Sequence, residues 1–245
     1  MIFFKPNICF KLKTLDETTL DLISRLKTSN NSYELSVLKE FVKDTELTFD
    51  NVKNKIKTEY NFSVLQGDKQ LQSIGSYWTK IEQEFFNVLS NVLDVDMFGE
   101  VQAYCLLDCI PLPYVDFSAK KISLPIHESL DNNVRFALGM LVKIFLLRKF
   151  VDNIAGNVEL SYNKDSVYWI MADLVADSLF FHTKLKKFAQ NTAYKYYYGL
   201  KIKDINLIDY IRSVYRTMNL LDFMGFVFEF VGSNMDIFTK FTNRY

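Results

Sequence analysis

Between Phe136 and Leu147 the chain reads Phe-Ala-Leu-Gly-Met-Leu-Val-Lys-Ile-Phe-Leu-Leu, apolar on every side and carrying one charge, Lys143. A bilayer crossing takes roughly twenty apolar residues, so this shorter stretch predicts a helix in a globular core. A second apolar run, Val167 to Phe181, carries only the charges of Asp173 and Asp177 and predicts a second core helix. How these two helices face each other is the question on which a functional reading turns.

The rest of the pattern is mostly helical. Ile8, Phe10 and Leu12 alternate with polar or small positions and predict a short strand or extended arm. Asp16 is placed to cap a helix over Glu17 to Lys27, and Ser32 to cap one over Tyr33 to Asp44. Phe49 to Tyr60 reads as a lysine-rich surface helix, and Gly67-Asp68 as a turn. From Leu71 to Leu93, Ile74, Trp78, Ile81, Phe85, Val88, Leu89 and Val92 recur at helical intervals. Trp78, Phe85 and Phe86 are expected to pack in the core.

Val101 to Leu107 predicts a strand, and Pro111 and Pro113 a turn after it, because proline cannot donate to a ladder. Lys121 to Pro125 predicts a second short strand, suited by its closing proline to a sheet edge. Asn132 or Asn133 is placed to cap the first core helix, and Asp165 or Ser166 the second, with a polar connection around Gly156 between them. Ile205 to Asn219, Leu221 to Val231 and Met235 to Phe241 complete a helical tail. The fold class predicted is α+β, predominantly helical, with a small β-sheet. One domain is expected over 1–245, with subdivisions at 1–66, 67–183 and 184–245.

Composition adds bounds. At 245 residues and 49% hydrophobic content the chain can bury a large core. Lys+Arg and Asp+Glu are equal at 29, so the global field gives no reason to expect an obligatory nucleic-acid, anionic-membrane or acidic partner. Gly (8) and Pro (4) are scarce, which favours long helices over a turn-rich all-β fold. Cys9, Cys105 and Cys109 are odd in number and predict buried reduced thiols. The start of the chain lacks a basic segment and a signal-length apolar run, so the expected location is the cytoplasm, with no membrane span.

Candidate chemistry is sparse. The chain has two histidines, which excludes a histidine-rich metal site. His127 stands between two predicted elements, and His182 closes a helix where the dipole satisfies it. Cys105 and Cys109 are four apart but lack a second pair. Phosphate-loop, dinucleotide and nucleophile-elbow motifs are missing. The remaining set is Lys143 with Asp173 and Asp177. An unpaired ammonium in an apolar helix would lose several kcal/mol of hydration. Aspartates spaced i, i+4 on the next helix share one face. An antiparallel packing of the two helices would let Lys143 and one of the aspartates solve both problems, and a lysine reaching the surface would solve the first alone.

At these residues the order of elements resembles a minimal gluzincin-type metallopeptidase over roughly Leu71 to Phe181: aromatic-faced helix, strand, proline turn, edge strand and two core helices. Members of that family carry H-E-x-x-H on the first core helix and an acidic zinc ligand on the second. The resemblance sets Gly139 and Lys143 in the places of the histidines, Met140 in that of the glutamate, and Asp173 in that of the acidic ligand. It therefore implies a pseudoenzyme, with no zinc or other cofactor and an ammonium at the vacated metal position.

The leading expectation is a non-catalytic, zincin-like protein that binds a protein or peptide by strand addition along Lys121, Ile122, Ser123 and Leu124. A second is an enzyme of another class using Asp173, Asp177 and His127 as acid-base groups. A third is a nucleic-acid-binding protein using the Lys- and Tyr-rich segment 184–203, where Lys184, Lys186, Lys187, Lys195, Lys201 and Lys203 accompany Tyr194, Tyr196, Tyr197 and Tyr198. The balanced net charge argues against that third reading.

Overall fold

The alternation of Ile8, Phe10 and Leu12 forms strand β1 (Asn7–Leu12), which buries Ile8 and leaves Cys9 exposed. The computed structural model describes residues 7–29, 32–94, 102–116, 121–126, 130–156, 166–189, 197, 199–202 and 204–242. Helix α1 (Leu15–Thr28) is capped by Thr14 and not by Asp16. The Thr14 hydroxyl accepts the Glu17 amide at 3.2 Å, and the Glu17 carboxylate accepts the Thr14 amide at 2.9 Å. This reciprocal box satisfies two amides, whereas Asp16 alone could satisfy one. The bond from the Thr14 backbone is the main reason the Glu17 carboxyl sits below its ordinary value.

After α2 (Ser32–Phe41), the lysine-rich segment and the aromatic-faced segment prove to be one helix, α3 (Phe49–Leu93). Gly67 makes no turn. It is buried in the helix, and a Cβ there would overlap the side chains of Leu12 and Ile126. The glycine serves close approach to the sheet, which the sequence pattern cannot distinguish from a turn signal. Trp78, Phe85 and Phe86 are buried, as their spacing predicts.

Strands β2 (Gln102–Asp108), β3 (Tyr114–Asp116) and β4 (Lys121–Pro125) join β1 in a sheet of order β1-β2-β4-β3. β1, β2 and β4 run parallel, and β3 is antiparallel to β4. This corrects the expectation of an edge at Lys121 to Leu124. Lys121, Ile122 and Ser123 pair with Tyr104, Cys105 and Leu106 on one side and with Asp116, Val115 and Tyr114 on the other, and Leu124 pairs with Leu107. Ile122, Ser123 and Leu124 are buried in succession, as in a strand covered on both faces. Pro125 marks the strand's end and carries no information about its neighbours.

Helix α4 (Leu130–Phe150) has Asn132 and Asn133 inside its first turn and ends in a π-helical turn over Val151–Ala155. Gly156, at φ 69°, closes that turn in a backbone region that favours glycine. Ser166 caps α5 (Val167–His182), accepting the Trp169 amide at 3.2 Å. A 3-10 turn (Lys184–Lys187) follows. β5 (Lys201–Ile202) and β6 (Ile205–Asn206) form a two-stranded hairpin in the stretch where a helix was expected from Ile205. Asn206 then caps α6 (Leu207–Tyr215), Asn219 caps α7 (Leu220–Ser233), and α8 (Met235–Thr242) comes last. The fold is predominantly helical α+β, with a small mixed sheet.

Contacts gather into two compact units, Met1–Glu82 with Met97–Val134, and Gln83–Asp96 with Arg135–Tyr245. The first holds the four-stranded sheet, with α1, α2 and the start of α3 closing a core of Leu22, Leu38, Val42, Val52, Ile56 and Ile110. The second is helical and centres on α5, where every residue from Trp169 to Phe180 is buried. α6 and α7 pack against α5 within this unit. Among the described residues no helix is long and apolar enough to cross a membrane.

Candidate functional site

In the second unit, side chains of α4 and α5 meet at two levels. Phe150 touches Tyr168 with ring centroids 6.3 Å apart, and Lys143 pairs with Asp173. Moving forward along α4 from 143 to 150 means moving back along α5 from 173 to 168, so the two contact faces run antiparallel. Only 4% of the Lys143 side chain and 6% of that of Asp173 is exposed, so the ion pair lies out of solvent. Trp169, one turn before Asp173, adds its ring face 5.5 Å from the Lys143 nitrogen.

Asp177, one turn beyond Asp173, meets a second cation. Arg212 on α6 donates from Nε to one Asp177 oxygen at 2.7 Å and from Nη2 to the other at 3.1 Å. The guanidinium carbon also lies 4.2 Å from the centroid of the Phe181 ring. The fork-to-fork geometry fixes both planes. The spacing of the apolar runs carries no sign of Arg212, which sits on the polar side of a short amphipathic helix. Its one signal was that a buried i, i+4 pair of aspartates needs more than a single lysine.

Gly139 and Met140 are buried on α4, and Gly139 precedes Lys143 by one helical turn on the same face. This donor set does not fit zinc: glycine offers no ligand, methionine a soft thioether, and lysine a positive charge. Among the described residues no three His, Cys, Asp or Glu side chains are grouped to hold a metal ion.

Asp173 and Asp177 thus each face a cation. His127 lies outside the described residues. The imidazole Nε2 of His182 is 3.0 Å from the Arg212 carbonyl oxygen, and its ring stacks on Tyr215 at 5.4 Å, so it joins α5 to α6. In the Lys- and Tyr-rich segment, Lys184, Lys186, Lys187 and Lys201 are exposed. Lys187 contacts both Glu84 carboxylate oxygens at 2.8 Å. Tyr197 is buried against Phe238, with centroids 5.7 Å apart, and offers no stacking platform. Lys195, Lys203, Tyr194, Tyr196 and Tyr198 lie outside the described residues.

The first unit holds a charge cluster that sequence reasoning missed. Lys13, directly after β1, places its nitrogen 2.7 Å from Asp21 and 2.8 Å from Asp108, the last residue of β2. Asp108 also accepts the Thr18 hydroxyl at 3.1 Å and the Ile110 amide at 3.3 Å. Burial alone would pull the Lys13 ammonium below its ordinary pKa. The charges of Asp108 and Asp21 outweigh it and hold the pKa above that value. Arg25 continues the cluster through Glu34 at 2.8 Å and covers the Tyr114 ring at 4.9 Å. Asp108 could have been noticed as a lone charge in Leu-Leu-Asp-Cys-Ile, but its partner is distant in sequence.

Compared with protein families, curated proteins and solved structures, the chain matches none.

Proposed function

We propose that the protein is a zincin-like pseudoenzyme that acts by binding a protein or peptide. The observation that carries the pseudoenzyme part of this reading is the buried pair of Lys143 and Asp173 between antiparallel faces of α4 and α5. A metallopeptidase of this type needs a divalent cation between its two core helices, held by an acid on the second. Here an ammonium from the first helix faces that acid. A fixed ammonium supplies charge balance but no Lewis acidity and no bound water to ionise, so the site holds its two helices together without hydrolytic chemistry. Strand addition along Lys121 to Leu124 has no place in the proposal, because β4 is an inner strand.

Two measurements test it. The purified protein is expected to carry no stoichiometric zinc after dialysis against metal-containing buffer, and stoichiometric zinc would overturn the reading. The triple variant Gly139→His, Met140→Glu, Lys143→His sets two imidazoles one turn apart opposite Asp173. It is expected to take up one zinc ion, with uptake lost on adding Asp173→Asn. A variant that keeps the parent's circular dichroism yet binds no zinc would show that the proposed register is wrong.

A further inference from the structure

We draw no further inference here: the strongest candidate, the partly exposed aromatic face where Tyr210 of α6 meets Phe226 and Phe230 of α7, is an apolar surface for which nothing in the structure shows what covers it.

Discussion

The Lys143 ammonium and the Asp173 carboxylate form an ion pair between α4 and α5, with both side chains almost wholly out of water. Such a pair recovers through mutual attraction what each ion loses in hydration, so its members depend on each other more than the fold depends on the pair. Lys143→Met or Asp173→Leu alone is expected to lower the unfolding free energy by about 3–5 kcal/mol. Lys143→Met combined with Asp173→Leu is expected to recover most of that loss. Urea unfolding of the four proteins at one pH gives the coupling directly. Additive losses in the double variant would contradict a direct pairing.

Lys13 makes a prediction about alkaline conditions. Its pKa is raised in the folded state above the ordinary lysine value of 10.5. Its stabilisation is therefore fully present below about pH 10.5 and is lost as pH rises through the higher folded value. Below that range Lys13→Met should cost about 3–5 kcal/mol, because Asp108 is left buried without its cation. The gap between wild type and variant should narrow above it. Tyrosines and other lysines titrate in the same range, so the difference between the proteins is the quantity to follow. A gap that stays constant to about pH 12 would remove Lys13 as its source.

Glu17 acts at the other end of the scale. Its pKa is lowered from 4.5, so its contribution is present above that value and lost as pH falls through the folded one. Thr14→Ala should cost about 1 kcal/mol at neutral pH through loss of the cap. In the Thr14→Ala background the stability curve below about pH 4.5 should be only slightly flatter than that of wild type, since the hydroxyl bond to the carboxylate is lost while the residue-14 amide, the larger cause of the lowered pKa, still donates to it. Parallel curves would show that the Thr14 hydroxyl has no share in the Glu17 titration.

Cysteine reactivity should separate by strand face and burial. Cys9 is exposed, whereas Cys105 and Cys109 are buried and free. Burial first, then the Asp108 charge, pushes the Cys109 thiol up to about 12, and burial pushes Cys105 up as well. A disulfide reagent applied to the native protein near neutral pH should therefore modify Cys9 alone. All three should react in denaturant. Native labelling at Cys109 would mean that the turn after β2 opens readily.

Gly67 sets two effects against each other. Alanine in its place gains about 1 kcal/mol of helix propensity, while its methyl group must displace the ends of Leu12 and Ile126. Both obstacles are flexible side-chain tips, so Gly67→Ala should be close to neutral. Gly67→Leu requires far more displacement and should lose about 1–3 kcal/mol or more. Thermal unfolding of the two variants checks the order. Equal stability would indicate that α3 stands further from the sheet.

The apolar runs that sequence reasoning used were the ones whose burial is dictated locally. Phe136 to Leu147 and Val167 to Phe181 have no polar face to turn to water, so a buried helix was the single outcome open to each. Likewise Lys143 could be matched to an acid on the next helix because hydration costs left it few alternatives. What stayed hidden depended on distant partners. Glycine carries no side chain, so its role at 67 is defined by Leu12 and Ile126, which lie far from it in sequence. The position of β4 inside the sheet is set by the three-residue β3, too short to show a period. Arg212 and Lys13 were equally hidden, since an exposed-looking charge in a short amphipathic segment has many possible fates until the neighbouring element is known.

The parallel pairing of β1 with β2 has a consequence for biosynthesis. Asn7 lies opposite Gln102 and Leu12 opposite Leu107, with three helices between the strands. A nascent chain leaving the ribosome would expose Ile8 and Phe10 until translation had passed Leu107, although α1 to α3 could already form behind them. During that interval the first strand presents unsatisfied amides and carbonyls to any extended polypeptide nearby. Holding by a chaperone would act on this waiting strand until β2 is available to pair with it.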